Sequence, residues 1–187
     1  MTKCILDIGT NDMKGYETLV PILGIDDSWF KVFVEPNPED YAVIEKKMKV
    51  IPNSIFYKRC LCDDNKIHTL LTRDDIYMDT AATIMGLDFI NTSIGSVNQA
   101  VPSYNSFEVQ GITAREIISK IEQDEIYIKC DAEGIEYEFL VNFPFEYLPK
   151  IKAIYVEFHA HNPQMRDRRD TIISYYNSLG VQLLNWD

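Results

Sequence analysis

The stretch Lys3-Cys-Ile-Leu-Asp-Ile8, followed at once by Gly9-Thr-Asn-Asp12, decides how the rest of the chain is read. A short apolar run that stops at glycine and turn-forming polar residues has the composition of a buried strand entering a turn. The pattern recurs along the chain. Lys31-Val-Phe-Val-Glu35 stops at Pro36-Asn37-Pro38, Glu125-Ile-Tyr-Ile-Lys-Cys-Asp131 stops before Gly134, and Ile151-Lys-Ala-Ile-Tyr-Val-Glu-Phe-His159 stops before Asn162-Pro163. Helix signals lie between these runs. Asn37 is a cap with Pro38 at the first helical position, and Tyr41, Ile44 and Met48 share a face. Thr113-Ala-Arg-Glu116 is a capping box, with Ile112 stapled onto Ile117. Gly134 opens a short helix through Leu140. A last helix starts at Asn162-Pro163, turns Ile172, Ile173, Tyr176 and Leu179 inward and ends at Gly180, before a final strand at 181–186.

Strands alternating with helices at this spacing predict βαβ units, hence an α/β fold with a mostly parallel sheet and helices on both faces. Ser54-Ile-Phe-Tyr-Lys-Arg-Cys-Leu-Cys62 and residues 67–72 read as two further strands, expected to pair as neighbours across the Asp63-Asp64-Asn65 turn. Residues 74–111 hold a long, weakly periodic segment, expected to be a substrate-facing insert in a single domain spanning 1–187. Its Tyr77, Met78, Met85, Phe89 and Tyr104 suit stacking on a sugar ring, or simply packing the insert down.

The chain has 187 residues, 46% of them apolar, and its 18 Lys plus Arg against 29 Asp plus Glu leave a formal charge of −11. Such a charge repels phosphate backbones and anionic lipid, so neither nucleic acid nor membrane is an expected partner. No apolar run approaches the roughly 20 residues that span a bilayer, and the start carries no signal-peptide pattern, so a cytoplasmic protein is expected. The four cysteines, Cys4, Cys60, Cys62 and Cys130, include no Cys-x-x-Cys pair, which argues against a cysteine zinc site or a disulfide framework. The basic cluster Arg166-Asp167-Arg168-Arg169 reads as solvated surface.

In parallel α/β sheets ligands bind beyond the carboxyl ends of the strands, so the polar groups there carry the functional reading. They are Asp7 with Gly9, Thr10 and Asn11; Glu35 with Pro36; Asp63; and Lys129, Asp131 and Glu133. A carboxylate closing the second strand suits both hydroxyls of a ribose. The first loop lacks the Gly-x-Gly-x-x-Gly that a dinucleotide pyrophosphate needs, and its Asp7 and Asp12 suit the ammonium and sulfonium of S-adenosylmethionine. Taken singly, Asp7 and Asp12 are equally well read as turn caps and Glu35 as a solvated strand end.

Together and in order, these residues resemble the FkbM family of S-adenosylmethionine-dependent methyltransferases. The resemblance runs through Leu6-Asp-Ile-Gly-Thr-Asn11, Phe33-Val-Glu-Pro-Asn-Pro38, Cys60-Leu-Cys-Asp63, Ile126-Tyr-Ile-Lys-Cys-Asp-Ala-Glu-Gly-Ile-Glu136 and Ile154-Tyr-Val-Glu-Phe-His159. It implies a class I methyltransferase (Rossmann-like) sheet. It also implies that Asp7, Gly9 and Asn11 surround the methionine part of the cofactor, Glu35 holds the ribose, Asp63 approaches the adenine and Asp131 lies near the transferred methyl. Family members commonly methylate hydroxyls of sugars and other metabolites, which implies a small-molecule or glycan acceptor. Met13 stands where the family usually has a second glycine, so a wider turn is expected over residues 12–15. One C-terminal strand stands where this fold usually ends in a two-strand hairpin, which with the abrupt start suggests a minimal member or one domain of a larger polypeptide; a homo-oligomer is the other expected assembly.

A sugar hydroxyl is a weak nucleophile and needs a base or a metal to take its proton as the new bond forms. Glu157, His159 and His161 alternate along the end of their strand beside Asp131 and Glu133, and share one face if the strand persists. Either histidine suits the base. Alternatively Asp131, Glu157 and His159 hold a divalent cation such as Mg or Mn. The plainest reading is that Glu157 and His159 hydrogen-bond each other and His161 is a turn residue. Lys129 reads as an ion-pair partner of Glu133 or Glu157 before it reads as a catalytic lysine. The enzyme alternative is an NAD-dependent oxidoreductase on a similar sheet, and the alternative of another class is a non-catalytic methyltransferase-like binding module.

Overall fold

Both faces of the first apolar run are buried, and this is why it reads as continuous rather than alternating hydrophobicity. In the computed structural model, which describes residues 1–73, 82–83, 104–159 and 163–186, strand β1 (Lys3–Ile8) sends Cys4, Leu6 and Ile8 into one core cluster and Ile5 into another. Around it β2 (Phe30–Val34), β3 (Ser54–Tyr57), β8 (Glu125–Cys130), β9 (Ile151–Val156) and β10 (Gln182–Asn185) form a six-stranded sheet in the order β10-β9-β8-β1-β2-β3, with every pairing parallel.

Helices cover both faces. On one, α1 (Lys14–Leu23) and α2 (Tyr41–Met48) contribute Tyr16, Leu19 and Ile44 to the cluster around Ile5 and Phe33. On the other, α3 (Ala114–Ser119), α4 (Glu136–Val141) and α5 (Pro163–Ser178) contribute Ile117, Phe139, Leu140 and Tyr176 to the cluster around Leu6, Val32 and Ile128. Successive crossovers of one hand move outward from β1 to β3 on the first face and from β8 to β10 on the second. The strand order therefore reverses between β1 and β8, and a crevice opens at their carboxyl ends. The arrangement is α/β and compatible with a Rossmann-like fold. No helix among the described residues is long and apolar enough to cross a membrane.

A second sheet, in the order β4-β7-β5-β6, joins β4 (Cys60–Leu61), β5 (Ile67–Arg73), β6 (Ala82–Thr83) and β7 (Tyr104–Ile112). Here the neighbour pairing expected across the Asp63 turn is not what forms. β5 runs antiparallel to β7 over seven residue pairs, from Ile67↔Gln110 to Arg73↔Tyr104, and β7 stands between β5 and β4. Residues 104–111 of the expected insert thus belong to a strand. Residues 74–81 and 84–103, with Tyr77, Met78, Met85 and Phe89, lie outside the described residues.

Several element ends differ from expectation. Asn37 caps a turn rather than the helix: its Oδ1 accepts the Glu39 N–H at 3.2 Å and its Nδ2 donates to Asp40 at 2.8 Å, so α2 starts at Tyr41. Leu179 is exposed beyond the end of α5. Strand β9 stops at Val156, because Glu157 and His159 follow in an irregular segment. The Thr113 cap is present, its Oγ1 accepting the Glu116 N–H at 3.1 Å, while the Glu116 side chain pairs with Lys120 at 2.8 Å. α1 is obscured in the sequence by Pro21, a residue disfavoured in helix interiors, although Tyr16, Leu19, Val20 and Leu23 keep helical spacing ahead of Gly24.

Candidate functional site

The crevice between β1 and β8 is a cleft lined by the ends of β1, β2 and β8 and by Leu61 and Leu70 of the second sheet. Gly9 makes its floor. Its φ is +70° and a Cβ there would sit 1.6 Å from the Asp131 carbonyl oxygen, so only glycine lets the first loop pass this close to the end of β8. Gly9 and Thr10 both donate to the Val34 carbonyl, at 2.9 and 3.2 Å, which ties the loop to β2. Thr10 is itself buried, with its hydroxyl on the Asp7 carbonyl at 3.0 Å, and does not line the cleft. Met13 has φ +71° at the start of α1, the conformation a glycine would take, and its side chain is fully buried among Ile5, Tyr16 and Phe33. The turn therefore keeps a glycine-like shape. The left-handed conformation costs roughly 1–2 kcal/mol, which burial of a large apolar side chain, about 1.5–3 kcal/mol, offsets.

Of the residues singled out in the sequence, Gly9, Asn11, Glu35, Pro36 and Asp131 meet around this cleft, together with Glu133 and Asp40. Glu35 is 4% exposed; its Oε2 accepts the Asn11 N–H and its Oε1 the Asn37 N–H, both at 2.8 Å. Burial pushes its carboxyl up to about 7, against the pull of those two N–H donors. Each oxygen accepts one of these bonds and has capacity for another, and Glu35 lines the cleft.

Asp7, Lys129 and Asp63 are placed otherwise. Asp7 is completely buried behind the cleft, with Oδ1 3.3 Å from Lys129 Nζ and neither oxygen in a well-aligned hydrogen bond. Burial raises its pKa, and the Lys129 charge opposes that. Lys129 also donates to the Gly9 carbonyl at 2.7 Å and lies 3.5 Å from Asp131. It pairs with Asp7 and Asp131 rather than with Glu133 or Glu157, because residues 7 and 129 stand in register on adjacent strands. It is an internal strut of the cleft floor. Asp63 is exposed, accepts two contacts from Asn142 Nδ2 at 3.1 and 3.2 Å, and lines a separate cleft beside α4. Asp12 turns to Lys14 at 2.7 Å.

The polar centre of the site is an arrangement around His159. Its Nδ1 lies 2.9 Å from Glu136 Oε1 and its Nε2 3.2 Å from Glu133 Oε2. Glu136 is fully buried and also accepts the backbone N–H groups of Ala132 (3.0 Å) and Gly134 (3.0 and 3.2 Å), so one carboxylate holds the loop after β8 and the imidazole together. Burial alone would lower the pKa of His159, but the Glu136 hydrogen bond and the charges of Glu136 and Glu133 push it up to about 9. The ring is an imidazolium near neutrality, donating at both nitrogens. Glu133, with φ +48°, is raised by burial to about 7, against the pull of His159.

Ligand atoms of Asp131, Glu133 and His159 lie within 4.8 Å of one another, the spacing a cation needs; Glu157 is not in that group. Glu157 is half-buried, and burial first, then Asp131, raises its pKa. His161 lies outside the described residues. The sequence places Glu133 among the polar groups at the strand ends without a catalytic role, and gives Glu136 no role. The available signal was the spacing Asp131-x-Glu133-Gly134-x-Glu136, in which a carboxylate in the first helical turn reaches back to the N–H groups of the preceding loop. Comparison with protein-family models, with curated proteins and with solved structures finds no match.

Proposed function

We propose that this chain is an S-adenosylmethionine-dependent O-methyltransferase, acting on a hydroxyl of a sugar or glycoconjugate. The observation that carries this reading is the lining of the crevice at the strand-order reversal. Glu35, Asp40, Asp131 and Glu133 line it beside Gly9, with no lysine or arginine in the lining among the described residues. Such a lining fits a ligand with ammonium and sulfonium charges and disfavours a pyrophosphate. The buried Glu35 at the end of β2 suits the two hydroxyls of a ribose. When bound, the cofactor would supply an electrophilic methyl group.

In this reading Glu133 is the base. Its pKa of about 7 leaves it substantially ionised at neutral pH, and it would accept the proton of the acceptor hydroxyl during the transfer. His159, already protonated, is a positioning residue that favours the ionised form of Glu133, and Glu136 fixes His159. Lys129 holds the Gly9 loop against β8. A cation on Asp131, Glu133 and His159 is the other reading of the same cluster, and turnover with and without a chelator separates the two.

Calorimetric titration of the folded protein with S-adenosylmethionine and S-adenosylhomocysteine tests the proposal, with one equivalent of each expected to bind. Absence of binding by both overturns it, and tight NADH binding in their place would favour the oxidoreductase. Binding without turnover on any hydroxyl acceptor would favour the non-catalytic module. Glu35→Ala is expected to weaken cofactor binding by about 1.5–3 kcal/mol, the value of a hydrogen bond to a charged group.

A further inference from the structure

Outside the cleft, the turn that joins β4 to β5 brings three unlike metal-ligating side chains together. Ligand atoms of Cys62, Asp64 and His68 lie within 4.8 Å of one another. Cys62 Sγ is 3.5 Å from His68 Nε2, and that nitrogen is 2.7 Å from Asp64 Oδ1. We propose that Cys62, Asp64 and His68 form a binding site for a borderline-soft divalent cation, zinc, distinct from the carboxylate cluster of the cleft.

The geometry is close to what zinc requires. Tetrahedral zinc with Zn–S of about 2.3 Å and Zn–N of about 2.05 Å separates sulfur from nitrogen by about 3.6 Å, close to the spacing of the Cys62 and His68 atoms. Nitrogen and carboxylate oxygen would stand about 3.4 Å apart, so Asp64 has to swing out by about 0.7 Å from its present hydrogen bond at 2.7 Å. One proton leaves to solvent, from the thiol, which now donates to the Asp64 carbonyl at 3.0 Å, while the neutral imidazole binds through Nε2 and carries its proton on Nδ1. Thiolate and carboxylate then balance the two charges of the ion. A thiolate, imidazole and carboxylate set selects zinc over magnesium or calcium, which take oxygen ligands.

The ligands sit on a turn that is held before any ion arrives. Cys62 N–H donates to the Ile112 carbonyl at 3.1 Å and Gly111 N–H to the Lys66 carbonyl at 2.7 Å, while Gln110 donates to the Asn65 carbonyl. Gly111 is required at this contact. A Cβ there would lie 2.4 Å from the Asp64 carbonyl oxygen and 2.6 Å from Cys62 Sγ. Cys62 is buried, whereas the His68 and Asp64 side chains are 27% and 37% exposed, leaving the fourth position open to water or a further ligand. Lys66, 3.1 Å from Asp64 Oδ2, engages the other carboxylate oxygen. The spacing Cys-x-Asp-x-x-x-His contains no Cys-x-x-Cys pair, so cysteine spacing alone does not reveal it. An ion here would clasp the end of β4 to the start of β5 and fix the turn that carries Asp63.

The test uses the whole protein after chelator treatment, titrated with zinc chloride by calorimetry and with cobalt(II) followed by thiolate-to-cobalt charge-transfer absorption. One zinc per chain and the charge-transfer band are expected in the wild type. Both should be lost in Cys62→Ser and in His68→Gln, and both kept in Glu133→Gln. His68 is partly exposed, so His68→Gln serves if Cys62→Ser does not fold, with far-ultraviolet circular dichroism as the check. No zinc bound by the folded wild type overturns the proposal, as does an unchanged zinc stoichiometry in the folded variants.

Discussion

At Glu133 and His159 the chemistry of the site is set by which proton sits where. Two carboxylates on either side of one imidazole make it a cation, and a cation with both nitrogens donating has no lone pair for a substrate proton. Glu133 faces the cleft with a pKa near neutrality, so kcat/KM is expected to rise with pH through about 7. If Glu133 is the base proposed above, Glu133→Gln should remove that limb and lower turnover by roughly 10²–10⁴-fold. His159→Gln removes the positive charge that favours ionised Glu133, so the limb should move to higher pH rather than vanish. A pH–rate profile of the three proteins checks both outcomes; a wild-type limb surviving in Glu133→Gln would exclude Glu133 as the base. The residue types of this cluster are legible in the sequence, but their pairing is not. Glu136 and His159 are separated by 23 positions, and only the meeting of the α4 loop with the end of β9 puts them in contact.

Among the elements, the two short helices around the β8 crossover depend on contacts at their ends. α3 has six residues, too few to be stable alone, and is held by the Thr113 cap and by burial of Ile117 and Ile118. Thr113→Ala should cost about 1 kcal/mol of stability. α4 is fixed to α5 by Tyr176, whose hydroxyl donates to the Leu140 carbonyl at 2.6 Å inside the core. Tyr176→Phe should cost a further 1 kcal/mol or so, because the carbonyl is left buried without its donor. Urea denaturation of the single and double variants checks both values, and the two losses should add if the elements are independent. The helices with caps and apolar periodicity are readable from sequence because those signals are local. The second sheet is not, because β5 pairs with β7 across 30 intervening residues.

For the molecule as a whole, the same buried groups predict how stability depends on pH. Glu35 and Glu133 have folded pKa values raised to about 7, so the folded state holds their protons more tightly than the unfolded state does. Their contribution is present at acid pH and is lost as pH rises from about 4.5 through 7. His159, raised to about 9, contributes stability that is full below its ordinary value of 6.5 and is lost as pH rises through 9. The difference between those two values is on the order of 3 kcal/mol. All three act in one direction, so the urea midpoint should be higher at pH 6 than at pH 9, and His159→Gln should flatten the decline above 6.5. A midpoint that rises between pH 6 and 9 would contradict these assignments. The formal charge of −11 adds to the trend, since self-repulsion grows as the remaining acids ionise.

The sequence by itself determined the parallel strands of the main sheet, four of its helix positions and the acidic character of its strand ends. Hydrophobic runs, caps and turn residues act over a few positions and need no knowledge of the rest of the chain. Tertiary structure alone decided which acids do what. Register with Lys129 drew Asp7 behind the cleft, the turn into β5 carried Asp63 away from it, and Glu133, Glu136 and His159 became one unit. It also decided that Cys62, Asp64 and His68 converge beneath Gly111. Charge, burial and pKa depend on through-space distance, and that distance exists only once strands far apart in sequence lie side by side.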